Sequence, residues 1–279
     1  MPTRDLKQTF DEQGYVILKQ VISRDIIDHV IDDMKKLVEE RAQLLVQAGR
    51  ISDTFLDEPF TTRMYRLYEH HLDIAPKAFR RELHVPGMFP LLFHPQVLDV
   101  IEAFLGEEVR LYPNYTVRPK FPEWAGTQVL WHQDGGYTEA ANREQGVDQL
   151  RMVNVWTPFV PATVENGCMQ FIPGTHKLGV VPHVGKQFYL EIEDSYIQPR
   201  LEEAINVILD PGDIVLFHNL LFHRGQPNVS GQIRWSADWR YQDATQPTLR
   251  PQQGHLARSR SHPEDVVNSA EQWARLTFE

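Results

Sequence analysis

Residues 211–241 read PGDIVLFHNLLFHRGQPNVSGQIRWSADWRY. A Pro-Gly-Asp turn opens one apolar run, Asp213 to Phe217, and a second run, Ile233 to Tyr241, follows a segment punctuated by Gly225, Pro227, Asn228 and Gly231. Branched and aromatic residues set between turn formers are the mark of short antiparallel strands. The same texture begins at Val109 and recurs in Val109 to Tyr112, Gln128 to His132, Met152 to Pro158 and Met169 to Pro173. An antiparallel sandwich or barrel over 109–245 is expected.

Upstream the period changes. Ile26, Ile27, Val30, Ile31, Met34, Leu37, Val38, Leu44 and Leu45 recur at three-and-four spacing between Ser23, placed to cap, and Gly49, placed to stop. That predicts a long amphipathic helix. A short helix ending at Gly14, a buried strand Tyr15 to Leu18 and a helix Pro95 to Leu105 make 1–108 a mostly helical flank. A surface loop over Gln246 to Arg260 and a last helix, Glu264 to Leu276, fill 246–279. No repeat or linker interrupts the chain, so the expected fold is one domain, mainly β with flanking helices.

Twenty-eight Lys and Arg against 38 Asp and Glu give a formal charge of −10 with no basic stripe, which argues against nucleic acid and anionic lipid as partners. The one cysteine, Cys168, cannot form an internal disulfide. The amino terminus lacks a basic segment followed by an apolar run, and no stretch approaches the roughly 18–20 apolar residues of a membrane span. A cytoplasmic protein acting on a small molecule is expected; the sequence leaves its oligomeric state open.

In Trp131-His132-Gln133-Asp134-Gly135-Gly136 an imidazole and a carboxylate stand two apart, on one face if the segment is a strand. His223 is the third candidate. Two histidines and one carboxylate with open positions form the facial set that holds non-haem Fe(II) for dioxygen chemistry. The same three could hold zinc in a cupin-like hydrolase, or survive in a non-catalytic binding module. Arg234 separates these readings, since an oxygenase needs a cation for a co-substrate acid. Positions 223 and 234 are symmetric about the turn between them and would be directly opposed in a regular hairpin. An arginine there suits 2-oxoglutarate, chelating iron at one end and salt-bridged at the other. His218, five residues from His223, would face the opposite side of a continuous strand and is read as structural, as are His176 and His183.

Several motifs, in order, resemble the phytanoyl-CoA dioxygenase family: Phe10-Asp11-Glu12-Gln13-Gly14-Tyr15, His132-Gln133-Asp134, Asn166-Gly167-Cys168-Met169, Ile172-Pro173-Gly174-Thr175-His176, Gly212-Asp213 and His223-Arg224-Gly225-Gln226-Pro227-Asn228. The resemblance implies a double-stranded β-helix (jelly-roll) core. It also implies Fe(II) on His132, Asp134 and His223, 2-oxoglutarate on Arg234, and decarboxylation to succinate and CO2 as O2 is consumed. Asp134 stands where halogenating relatives have a small residue, which favours hydroxylation or another oxidation at C–H. Arg118-Pro119-Lys120 replaces the family's Lys-Pro-Pro, and Arg224-Gly225-Gln226 departs from its Ser or Gly pattern.

Trp156, Gln128 and Gly225 are further candidates for the co-substrate pocket, and Arg118, Trp131, Tyr137 and Arg240 for the substrate. Residues 50–90 and 242–262 are the expected lid. A CoA thioester fits poorly for want of a basic cluster, and the closing Leu-Thr-Phe-Glu is no peroxisomal address.

Overall fold

The computed structural model describes residues 3–141 and 146–278. Its strands are β1 (Tyr15–Leu18), β2 (Val109–Leu111), β3 (Thr116–Lys120), β4 (Met152–Pro158), β5 (Met169–Ile172), β6 (His183–Gly185), β7 (Leu190–Ile192), β8 (Ile205–Val207), β9 (Ile214–His218), β10 (Phe222–Gly225), β11 (Arg234–Asp243) and β12 (His255–Arg258). A seven-stranded antiparallel sheet runs β1-β9-β4-β11-β2-β12, with β3 also on β11; a three-stranded sheet runs β10-β5-β8, and β6 and β7 form a hairpin. Between the two larger sheets lies a cavity lined from both. This is the expected jelly-roll, although helix takes a larger share than a mainly-β description suggests.

The long helix spans Arg24–Gln47, with the Ser23 hydroxyl accepting from the Ile26 amide as N-cap. It buries Ile27, Val30, Ile31, Met34 and Val38 in the larger hydrophobic core. The outer face of the large sheet supplies that core's other half. Along β11, Trp235, Ala237, Trp239 and Tyr241 enter it, while Arg234, Ser236 and Asp238 line the cavity on the opposite face. Two-residue alternation thus buries β11 on both faces, one apolar and one polar.

Five expectations need correction. The loop over Gln246 to Arg260 holds a strand, β12, which pairs with β2 at the edge of the large sheet. Gln128 to His132 is no strand; a 3-10 turn at Ala125–Thr127 precedes it, and His132 makes only an isolated bridge to His223. The last helix shrinks to Ala270–Trp273. β10 and β11 lie in different sheets, so His223 does not oppose Arg234: His223 pairs with Phe171, and Arg234 with Lys120. A turn over 219–221 separates β9 from β10, so the continuous strand invoked to set His218 aside does not exist. His218 nonetheless packs away from the metal candidates, against His176 and Phe10.

No single helix among the described residues is long and apolar enough to cross a membrane. The bent pair Pro86–Leu92 and Pro95–Leu105 approaches that composition because its Leu91, Leu92, Val97, Leu98 and Ile101 are core residues.

Candidate metal and co-substrate site

His132 and His223 are tied by their own backbones: each amide donates to the other's carbonyl, at 2.9 and 3.0 Å. Asp134 reaches them from a different element, the first residue of the helix Asp134–Ala141. The strand-face argument for His-x-Asp therefore fails, yet the three ligand atoms still lie within 4.8 Å of one another. Gly135 and Gly136 serve close packing, since a Cβ on either would meet Leu220 Cδ2 at 2.5 Å or His183 Cε1 at 2.4 Å.

Each histidine's Nδ1 sits 2.8 Å from the carbonyl two residues before it, Leu130 for His132 and Leu221 for His223. A carbonyl only accepts, so Nδ1 carries the proton and Nε2 keeps its lone pair. The Nε2 atoms stand 3.6 Å (His132) and 3.9 Å (His223) from the Asp134 carboxylate. Adjacent ligands held at about 2.1 Å from one ion are about 3 Å apart, so a small contraction closes the set. Burial, with His132 beside it, depresses the His223 pKa to about 3, and the ring stays neutral. Burial alone would raise the Asp134 pKa, but Arg240 and the two histidines hold it well below the ordinary carboxylate value.

The supporting residues come from alternating positions. On β4, Val153 and Val155 face the larger core, while Asn154 donates to Asp134 Oδ2 at 2.8 Å. Arg240 of β11 meets Asp134 Oδ1 at 2.6 Å. Gln133, fully buried, donates to the carbonyls of Gly179 and Leu220 and accepts from the Val181 amide, while its own amide donates to His183 Nε2. It fixes the peptide between two ligands. The His132-Gln133-Asp134 motif assigns Gln133 no role of its own; a polar residue within a buried valine-rich strand is the available sign for Asn154.

At the other end of the cavity Arg234, 5% exposed, donates Nη1 to Ser236 Oγ and lies 5.1 Å over the Trp156 ring. Its Nε has no hydrogen-bond partner among the described residues. Burial and nearby Arg118 bring its pKa down to about 10. Opposite it on β3 is Lys120, 3% exposed, whose Nζ donates to the Thr127 carbonyl and forms no ion pair with any described residue. Burial, with Arg234 and Arg118, pushes its pKa well down. Gly167 and Gly225 make its channel: a Cβ on Gly167 would meet Lys120 Cε at 2.4 Å, and one on Gly225 would meet Nζ at 3.1 Å. Sequence reasoning gave Lys120 no role of its own.

Of the other candidates, Arg118, Trp156 and Gly225 line the cavity, whereas Gln128 does not and its neighbours Thr127 and Val129 do. Trp131 is buried among Ile172, Ile197 and Phe222, with Arg224 stacked on it at 4.9 Å. Tyr137 packs edge-on to His132 and accepts from the Leu190 amide, fastening the β6–β7 hairpin. That hairpin, through Tyr189, lines the cavity. Of the expected lid only Lys77 lines it among the described residues, and 242–262 contributes nothing to its wall.

The family profile of phytanoyl-CoA dioxygenases matches residues 10–236. The chain belongs to the phytanoyl-CoA dioxygenase family. It is similar to "1-deoxypentalenic acid 11-beta-hydroxylase" of Streptomyces arenae, 28% identical over 86% of this chain and 81% of that one. It is also similar to "Dioxygenase lolE1" of Epichloe uncinata, 38% identical over 61% and 60%. Among solved structures, EctD from S. alaskensis with 2-oxoglutarate and 5-hydroxyectoine aligns over 88% of this chain and 77% of that one, at 20% identity and TM-score 0.62. The epimerase SnoN with Fe3+, alpha ketoglutarate and nogalamycin RO aligns over 88% and 86%, at 20% identity and TM-score 0.57. These two bear out the fold. As a member of this family the protein is an iron- and 2-oxoglutarate-dependent dioxygenase, and its two-histidine, one-carboxylate donor set fits Fe(II).

Proposed function

We propose that the protein oxidises a C–H bond of a small organic molecule, hydroxylation being the simplest outcome, with conversion of 2-oxoglutarate to succinate and CO2. One observation carries the reading. The cavity that holds His132, Asp134 and His223 also holds Arg234, whose Nε has no partner among the described residues, and Lys120, which has no anionic partner among them. Burial beside Arg234 disfavours the charged form of Lys120, and a dicarboxylate spanning from the metal would restore it and pair with both.

Iron with bound 2-oxoglutarate supplies the oxidising power in this chemistry. His132, Asp134 and His223 would hold the metal, and Gln133, Asn154 and Arg240 keep those ligands aimed. Arg234, Lys120 and Ser236 would take the distal carboxylate, with Trp156 as the wall beside it. The β6–β7 hairpin, clamped by Tyr137 and by the Tyr189 hydroxyl on the Gly126 carbonyl, would exclude water. A hydrolytic zinc centre fits less well: among the described residues the carboxylates lining the cavity are Asp134, a ligand, and Asp238, held by Arg118 and Thr116, and neither is free as a general base.

The test is anaerobic addition of Fe(II) and 2-oxoglutarate to metal-free protein. A visible charge-transfer band in the parent, weakened in Arg234→Ala and absent in His223→Ala, is the expected result. Zinc bound tightly with no such band would move the assignment to hydrolysis or simple binding.

A further inference from the structure

The cavity has a charge opposite to that of the chain as a whole. Lys77, Arg118, Lys120, Arg224 and Arg234 line it against Asp134 and Asp238, although the protein's formal charge is −10. The reading above commits Lys120 and Arg234 to the co-substrate's distal carboxylate. Asp134 and the co-substrate's other end offset a divalent metal. What is left over is positive, and it extends along β11 past Ser236. Arg118 lies opposite Ser236, and Arg240 follows beside Asp134. Arg80 stands close by, its pKa lowered by burial and by Arg118, Arg240 and Arg250, against Asp238.

Arg118 is the best-prepared of these cations. Its Nε donates to Asp238 Oδ2 at 2.7 Å, and that carboxylate is itself fixed by the Thr116 hydroxyl. The guanidinium plane is thereby set, while its two Nη groups donate to no acceptor among the described residues. A guanidinium edge of this kind matches a carboxylate in two parallel hydrogen bonds. Lys77, also in the wall, lies over the rings of Phe188 and Trp124 and forms no ion pair among the described residues. The same cavity wall includes the apolar Val129, Met169 and Phe217.

We infer that the substrate is an organic acid with an apolar body, whose carboxylate is bound by the Nη pair of Arg118. The inference rests on the iron and 2-oxoglutarate reading, and its test separates the two. The full chain is held anaerobically with Fe(II) and saturating 2-oxoglutarate, so that the charge-transfer band reports the co-substrate site before any acid is added. Cyclohexanecarboxylate, 1-naphthoate and decanoate are then offered, each beside its own carboxamide, and retention is measured by equilibrium dialysis. The expected result is that an acid is retained roughly tenfold or more over its amide, the scale of a charge-assisted hydrogen bond. That preference disappears in Arg118→Gln and returns in part in Arg118→Lys, while both variants keep the band. Amides retained as well as acids, no retention of either, or an acid preference that persists in Arg118→Gln overturns the inference with the co-substrate reading intact. Absence of the band in the parent defeats the co-substrate reading, and the inference with it.

Discussion

Two arginines six residues apart on the same face of β11 stand in opposite electrical states. Arg234 is 5% exposed, has a hydroxyl as its polar partner and sits beside a second buried cation, Lys120. Arg240 is 8% exposed and closes on the Asp134 carboxylate at 2.6 Å. The paired arginine is a brace that completes the folded protein by itself. The other, on the proposed reading, is completed by the co-substrate's distal carboxylate. Buried charge therefore separates structure from function here better than residue type does, because the same side chain on the same strand serves both ends.

The heaviest blow to this contrast is Asp134→Ala, which removes a ligand and orphans Arg240 together. Metal binding and turnover should fall below detection, and unfolding in urea should show a loss of about 3 kcal/mol, the usual penalty for a buried ion left alone. Arg234→Met should weaken 2-oxoglutarate about 100-fold in a charge-transfer titration, as expected for losing hydrogen bonds from a buried cation. If Arg234→Met binds 2-oxoglutarate as the parent does, the unpaired end is not the co-substrate site. Arg240→Gln keeps a donor but loses the charge; equilibrium dialysis against Fe(II) should show a fall of about 10-fold to 100-fold, the range for residues that orient metal ligands. Lys120→Met should lower 2-oxoglutarate affinity about tenfold and yet raise the melting temperature of the ligand-free protein, by about 2–4 °C if 1 kcal/mol of charge burial is relieved. A destabilised Lys120→Met protein would count against the idea that this cation awaits a partner.

The smallest effect concerns pH. Burial, with His176 nearby, lowers the His218 pKa to about 4, against an ordinary value of about 6.5. The unfolded chain thus takes up this proton first as pH falls. The stability it withholds is fully present above about 6.5 and lost progressively towards 4. Denaturation at pH 7 and pH 4.5 should show a smaller drop for His218→Gln than for the parent.

The β-core, the long helix and the metal set were legible because each leaves a local pattern: period two, period 3.6, and ligand types beside turn residues. Met152 to Pro158 was read as a strand and is β4. The pairing of His223 with Arg234 placed both on one cavity by a wrong route, since symmetry about a turn does not reveal that a chain crosses between sheets there. His132 and Asp134 failed as a strand pair because the chain turns into a helix at Asp134. Lys120, Gln133 and Asn154 were missed because their roles come from what lies across the sheet, at positions far away in sequence. Of the long segments expected as lid, 50–90 reaches the cavity through Lys77, and the hairpin with strands of three residues reaches it through Tyr189.

The reciprocal backbone bonds between His132 and His223 have a further meaning. Residues so distant along the chain are brought to ligand spacing by main-chain hydrogen bonds that leave both ligand nitrogens free of that task. The chelating geometry is thus already present in the fold, and the free energy of metal uptake need not be spent on ordering the polypeptide, in contrast to domains that collapse only around their ion. Stripping the metal should leave a folded apoprotein, and occupancy would follow the supply of iron as a reversible equilibrium rather than being settled once during folding.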